Sequence, residues 1–261
     1  TVTVTAVGNQ AATFDGSGDY VNVGADASLA MTTAMTVEAW IYPRGPGERG
    51  VEGGIIVSKE GEYELGRYPD GTIRYSVATT SPGWVWVNTT DVAPQDAWTH
   101  VAWTYDSTVP FTAVYVNGVL AYSSVNVTGA IGDVTIGQDE LWIGNRSDIP
   151  HGFDGDIDEV RVWNYARTAE EIGNGYSKTI SSVEASSLSG LVGSWNFDDV
   201  TANDLSTSVN DGVLTGNAAI IGSSQTLLDN TAPVATAGIA VSLLDGGTGQ
   251  VTLTGTDAVD G

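Results

Sequence analysis

The sequence predicts an all-β sandwich, and three observations carry the prediction. Short runs of alternating apolar and polar residues recur along most of the chain, the period-two pattern of strands that bury one face. Clusters of Gly, Asn, Asp and Pro punctuate these runs at short intervals, as in antiparallel sandwiches. Helical features are confined to one short segment.

The expected strands are TVEAWIYP (36–43), GGIIVSK (53–59), TIRYSVAT (72–79), WVWVNT (84–89), THVAWTYD (99–106), LWIGN (141–145) and GDIDEVRVWN (155–164). TAVYVNGVLAYSS (112–124) reads as a hairpin, because Asn117-Gly118 supplies the positive φ angles of a type I′ turn. DGSGD (15–19), PDG (69–71) and SPG (81–83) are suited to other reversals. The helix is RTAEEIGNG (167–175), with Thr168 as N-cap, Glu170 and Glu171 in the first turn and Gly173 as its stop. The Ser-rich stretch 178–190 reads as a connecting excursion, and LVGSWNFDD (191–199) returns to strand chemistry.

The chain has 261 residues, 33 Gly, 8 Pro and no Cys, a composition that can bury a core without disulfides. No run approaches eighteen apolar residues, so membrane insertion is not expected. TVTVTAVG carries neither a basic nor an apolar leader region, so any export signal is expected outside this chain. Thirty-two acidic residues face nine basic ones, for a net charge of −23. That balance excludes nucleic acid and anionic lipid as natural partners, since phosphate recognition draws on Lys and Arg clusters. Twenty-one of the acids are Asp, a residue of turns and of oxygen-ligand metal sites. Two readings follow: a highly soluble, salt-tolerant surface, or calcium.

The chain changes character near 228. The remaining residues hold no aromatics and read as a linker and the first strands of another module, too few to bury a core alone. The expected division is therefore 1–226 and 227–261.

Six motifs fall in a telling order: FDGSGDYVNV (14–23), TVEAWIYP (36–43), DAWTHVAWTYD (96–106), VYVNG (114–118), LWIGNR (141–146) and FDGDIDEVRVWNYARTAEEI (153–172). Together they resemble a laminin-G-like domain of the concanavalin A-like lectin/glucanase superfamily, related to pentraxins, over roughly residues 11–176. The resemblance implies a two-sheet antiparallel jelly-roll sandwich with one short helix. A segment like 191–221 precedes the FDG motif in many members of this group, whereas here it follows the helix. Either a second copy begins there, or the segment closes the sandwich in a permuted strand order, which is the reading preferred. DNTAPV and GTDAVDG resemble the start of the tandem immunoglobulin- or cadherin-like repeats of large bacterial surface adhesins. That implies an extracellular, cell-surface setting with neighbouring repeats in the same polypeptide and calcium at their junctions.

Calcium takes several oxygens from a flexible, Asp-rich loop. Asp15, Gly16 and Asp19, with Asp156 and Asp158, are the expected ligands. Asp156 and Asp158 share a strand face by period two, with Glu159 pointing the other way. The resemblance brings the FDG strand close to the IDEV strand, so Asp15 and Asp158 would share one ion. The plainer alternative is that these residues close turns.

For ligand recognition, pentraxins place acids after a strand like LWIGNRSD, which nominates Asp148, although Arg146 stands where that pattern has an acid. Glu60 and Glu62 are expected to reach the same rim, with His151 as a polar contact. Among the aromatics, Trp84 and Trp86 share a strand face opposite Val85 and Val87 and are expected to be exposed. With Tyr68 they are sugar-stacking candidates, whereas Trp40, Trp98, Trp103 and Trp163 are assigned to structure. Catalysis finds little support: Asp156-Ile-Asp158-Glu159-Val160 lacks the third acid of the glucanase strand, and Glu38 has no partner two or four residues away. With two His and no Cys, zinc sites and nucleophilic triads are poorly supplied. The expectation is a calcium-dependent, carbohydrate-binding (lectin-like) module of a bacterial adhesin that attaches to extracellular glycans, not an enzyme. A calcium-stabilised spacer and a protein-binding laminin-G-like module are the alternatives.

Overall fold

The alternating segments fold into two antiparallel sheets that share one apolar core. The computed structural model describes residues 9–79, 82–109, 111–227, 240–242 and 248–250. Most of the tail expected to begin a second module lies outside these residues; within it, Ala240–Ser242 and Thr248–Gln250 pair antiparallel.

In chain order the strands are β1 (Gln10–Asp15), β2 (Tyr20–Gly24), β3 (Ala34–Pro43), β4 (Gly54–Lys59), β5 (Tyr63–Arg67) and β6 (Thr72–Val77). Next come β7 (Val87–Val92), β8 (Thr99–Asp106), β9 (Phe111–Val116), β10 (Val119–Ser124), β11 (Leu141–Ile143) and β12 (Asp154–Trp163). Helices α1 (Ala169–Gly175) and α2 (Ser182–Ala185) precede β13 (Leu191–Trp195), β14 (Val213–Thr215) and β15 (Ala219–Gly222). One sheet has the order β10-β9-β8-β3-β12-β1-β15, with β13 also on β12; the other has the order β14-β2-β11-β4-β5-β6-β7. The segment 191–221 thus reaches both sheets, β14 pairing with β2 and β15 with β1. The architecture is a jelly-roll sandwich.

Alternation fills the core. Phe14, Val37, Ile41, Trp103 and Ile157 from one sheet meet Val21, Val57, Leu65 and Ile143 from the other; each such side chain contributes about 1.5–3 kcal/mol on burial. The two largest fully buried side chains also satisfy their indole N–H groups, Trp103 on Thr112 Oγ1 (2.9 Å) and Trp195 on the Asn210 carbonyl (2.9 Å). Trp40 and Trp163 are buried as expected; Trp98 is half-buried and donates to Ser224 Oγ. Asn117 and Gly118 have φ of 48° and 75°, the expected hairpin turn.

Four local expectations need correction. The strand expected over 84–89 begins only at Val87, where it pairs with Tyr75. Trp84 and Trp86 therefore precede it, and Val85 is 47% exposed instead of core. The strand β5 was not anticipated, because Gly66 and Arg67 blur the alternation of YELGR. Gly173 lies inside α1, which runs to Gly175 and closes with Tyr176 N–H on the Ile172 carbonyl. The reciprocal Thr168–Glu171 capping box and buried Ile172 hold that turn through its glycines. The Ser-rich excursion contains α2, started by the same device from Ser181 and Glu184.

Candidate functional site

Each sheet carries a layer of polar side chains on the face away from the core, and both layers are covered. On the eight-stranded sheet the cover is the segment after β12: Thr36 Oγ1 donates to the Tyr165 carbonyl and Trp40 Nε1 to the Tyr176 carbonyl, each at 2.8 Å. Beneath it Glu38, isolated in sequence, becomes an ionic centre. It accepts from Trp163 Nε1 (2.9 Å) and Arg167 Nη1 (2.7 Å), with His100 Nε2 at 3.5 Å and Arg161 Nη1 at 3.8 Å. Burial alone would raise its pKa, but the His100 hydrogen bond and the Arg167 and Arg161 charges outweigh burial and hold the carboxyl well below the usual range.

The expected calcium ligands do not gather. Asp15 pairs with Asp154 in register, and Asp158 stands four residues further along β12, roughly 13 Å at strand rise. Asp15 accepts from Ser17 N–H (2.9 Å) and Asn217 Nδ2 (3.0 Å), while Asp19 accepts from Asp15 N–H (2.8 Å) and Asn217 N–H (2.6 Å). These carboxylates close a turn around Gly16, whose φ is +80°. Asp156 pairs with Arg44. Asp158 is fully buried and accepts from Glu159 N–H at 2.7 Å. Glu159 has φ +49° at a break in the β12–β3 register, a bulge that turns it to the Arg161 side (2.6 Å) instead of the opposite face. Among the described residues no three His, Cys, Asp or Glu side chains come together to hold a metal, so the residues expected to bind calcium do not fit that ion.

The outer face of the seven-stranded sheet brings together three of the expected sugar-binding residues. Register aligns Ser58, Glu64 and Ser76 across β4, β5 and β6, on the side opposite Val57, Leu65 and Tyr75. Glu64 accepts from Ser58 Oγ (2.9 Å) and leaves Oε2 unpaired. Its burial pushes the carboxyl up to about 8, with the Arg146 charge opposing and the Glu60 charge adding. Beside it Arg74, 4% exposed, carries the Trp86 ring with its guanidinium carbon 3.9 Å from the ring centroid, and lies 4.7 Å from the Tyr68 ring. Trp84 meets Trp86 edge-on, with centroids 6.3 Å apart. Tyr68, Trp84 and Trp86 are all half-buried, so one buried cation organises an aromatic rim with open ring surface. Such a contact is worth about 0.5–2 kcal/mol and fixes ring orientation.

The remaining candidates divide. Asp148 is exposed on the loop after β11. Glu60 is 2% exposed, and both its oxygens are taken by Arg146 (2.8 and 2.6 Å), so it does not reach a rim. Glu62 is likewise buried against Lys59. His151 is 6% exposed, with Nδ1 on the Ile149 carbonyl (2.6 Å) and Nε2 on Glu52 (2.9 Å); it ties loops together. Sequence reasoning missed Arg74 and Glu64 in the polar layer beneath the rim, and noted Arg146 only as a departure from the pentraxin pattern, not as the partner of Glu60. It also missed the Tyr20–Trp142 stack (3.7 Å, 7°) on neighbouring β2 and β11. The trace of Glu64 and Arg74 in the sequence is the polar half of the alternation in YELGR and TIRYSV, which reads as solvent-facing until a cover is known.

Comparison with known proteins agrees with this architecture. A family model described as the concanavalin A-like lectin/glucanases superfamily matches residues 15–173. A Bacteroides ovatus protein named for carbohydrate binding superposes with a TM-score of 0.64 at 22% identity, over 82% of this chain. The chain spans only 60% of that protein's length. A heptameric SAP-like pentraxin from Limulus polyphemus follows at TM-score 0.46 and 17% identity, covering 65% of this chain and 82% of its own. A family 40 carbohydrate-binding module of the Ruminococcus gnavus IT-sialidase, bound to α2,3 sialyllactose, reaches 0.44 at 13% identity over 62% of this chain and 96% of its own. No curated protein matches the chain. The lectin-like sandwich and the family match over more than half its length place this chain in the laminin-G-type family of the concanavalin A-like lectin/glucanase superfamily.

Proposed function

We propose that the chain is a carbohydrate-binding module whose ligand docks on the rim formed by Tyr68, Trp84 and Trp86. The observation that carries the reading is their convergence around Arg74, with ring surface left open. A flat ring face suits the C–H face of a pyranose; Asp148, exposed on the loop after β11, is the carboxylate proposed for its hydroxyl groups. The proposal is of binding without hydrolysis. Asp156, Asp158 and Glu159, which echo the glucanase strand, are buried and two of them pair with Arg44 and Arg161, whereas a glycosidase needs two carboxyls flanking the bond. The adhesin setting, cell-surface location and neighbouring repeats belong to the same proposal and rest on the tail sequence alone.

The test is a glycan array followed by calorimetry on each hit, with Trp86→Ala and Trp84→Ala beside the wild type. The reading expects a saccharide whose affinity falls at least tenfold in Trp86→Ala, with indole fluorescence changing on binding and EDTA leaving affinity unchanged. Saccharide binding that survives both substitutions would move the ligand off this rim. Silence across the array would return the module to the spacer or protein-binding readings.

A further inference from the structure

The outer face of the seven-stranded sheet carries a second aromatic platform, away from Arg74. Tyr20 on β2 and Trp142 on β11 alternate with Val21, Val23, Leu141 and Ile143, which face the core. The two rings stack with centroids 3.7 Å apart and planes 7° from parallel, and both residues are half-buried. Each ring thus covers part of the other while both keep surface open to solvent. Trp142 Nε1 donates to Glu140 Oε2 (3.0 Å), and Asn22 Nδ2 donates to the same oxygen (3.1 Å), so the indole plane is set before any ligand arrives. Glu140 is exposed with its Oε1 uncommitted, and the Tyr20 hydroxyl has no hydrogen-bond partner among the described residues. The pair therefore offers ring surface, a carboxylate acceptor and a hydroxyl that both donates and accepts, a combination suited to a saccharide.

Strand register ties this platform to the rim. Trp142 pairs with Ser58 on β4, Ser58 with Glu64 on β5, and Glu64 with Ser76 on β6. Arg74, which carries the Trp86 ring, stands two residues from Ser76 on the same face of β6. Three strand spacings and two residues of rise put the Trp142 and Arg74 positions about 16 Å apart. The row between them holds Ser58, Glu64 and Ser76, each at most 1% exposed, with Arg146 forked onto Glu60 and 3.4 Å from Glu64. Aromatic surface thus stands at the two ends of a polar, charge-paired row. A single pyranose, no wider than an indole, touches one end only, whereas a chain of several reaches both.

We propose that Tyr20 and Trp142 form a second saccharide subsite, and that the ligand is a neutral oligosaccharide chain laid across β11, β4, β5 and β6 from this platform to Trp86. The proposal rests on the reading of Tyr68, Trp84 and Trp86 as a saccharide rim, and it narrows the ligand from a single sugar to a chain. A net charge of −23 favours uncharged chains over acidic ones. Once one end of such a chain is bound, the other meets its platform at high effective concentration, so bridging tightens binding beyond either contact alone.

Calorimetry with gluco-, xylo- and manno-oligosaccharides, from disaccharide to hexasaccharide, tests it on the wild type, Trp142→Ala and Trp86→Ala. In one series a single hexasaccharide per chain is expected to bind at least tenfold more tightly than the disaccharide. Trp142→Ala and Trp86→Ala should each lose at least tenfold of that hexasaccharide affinity. Tyr20→Ala, which leaves the Trp142–Glu140 bond in place, should do the same and serves where Trp142→Ala does not fold. Affinity that falls in Trp86→Ala but stays within twofold of wild type in Trp142→Ala or Tyr20→Ala would overturn the second subsite and leave the rim reading standing. A disaccharide as tight as the hexasaccharide, or two hexasaccharides per chain, would overturn the bridging. Absence of binding in every series, or affinity indifferent to Trp86→Ala, would overturn the rim reading and this proposal with it.

Discussion

Replacing Glu64 by Gln should stabilise the protein, and increasingly so as pH rises. Burial lifts this carboxyl from the ordinary 4.5 to about 8, so the folded state holds a proton that the unfolded chain releases near pH 4.5. A folded pKa above the unfolded one means that the stabilisation is complete below pH 4.5 and is lost as pH rises through about 8. The gap between the two values, at roughly 1.4 kcal/mol per unit, puts about 3 kcal/mol of that loss between pH 5 and pH 8. Gln keeps the acceptor for Ser58 Oγ and the shape of the protonated acid, but it cannot ionise. Urea unfolding followed by indole fluorescence should therefore show Glu64→Gln gaining about 3 kcal/mol on the wild type between pH 5 and 8, or about 6–12 °C in Tm for a domain of this size. A stability difference that stays flat across that window would refute the reasoning. It would mean that the Arg146 charge keeps Glu64 ionised in the fold despite its burial.

Thr168→Ala removes one half of the α1 capping box and should cost about 1 kcal/mol by chemical denaturation, since only Ile172 anchors that helix in a core cluster. Gly144→Ala should cost about 2–4 kcal/mol: Gly144 has φ +87°, and an added Cβ would stand 2.5 Å from the Phe14 ring. A loss under 1 kcal/mol in the same assay would show that Phe14 can move aside. Binding of a neutral glycan should be insensitive to salt, whereas any acidic glycan should bind better as ionic strength rises, because a net charge of −23 repels it. Calorimetry in low and high salt checks the sign, and weakening of an acidic glycan with salt would reveal a cationic patch.

Periodicity was a reliable guide where a strand has one buried and one open face. THVAWTYD was legible to the residue, and Asn117-Gly118 fixed its hairpin through turn chemistry alone. It failed where the outer face is itself covered. β4, β5 and most of β6 are buried on both sides, so alternation does not single out Glu64 and Arg74, and Glu60 reads as a rim acid. The cover is Arg146, from the loop after β11, over Glu60 and Glu64, and Tyr68 and Trp86 over Arg74, and no alternation announces it. The bulge at Glu159 is a similar case: a single positive φ reverses which face an acid takes, and alternation cannot register an inserted residue. The aromatic candidates come together for a reason other than the one that nominated them. Trp84 and Trp86 are not on a strand face; they meet because Arg74 holds one ring and that ring meets the other.

The placement of the cations explains why so acidic a chain can keep an ordered aromatic rim. Lys59, Arg67, Arg74, Arg146 and Arg161 are buried, five of the nine basic residues. Their charge therefore works inside, against buried acids such as Glu38, Glu60, Glu62, Glu64 and Glu159. Buried ion pairs offset desolvation only in part, so their presence is weak evidence of added stability. What they do supply is direction. Arg146, forked onto Glu60 and close to Glu64, fastens the residue after LWIGN to the strand turn at 60, and Arg74 sets the plane of Trp86. Replacing either arginine with an apolar residue of similar volume could leave the sandwich folded while releasing the rim. The core and the order of the aromatic rim are thus carried by different layers of the same sheet: apolar side chains facing inward, and buried charges facing outward beneath the aromatics.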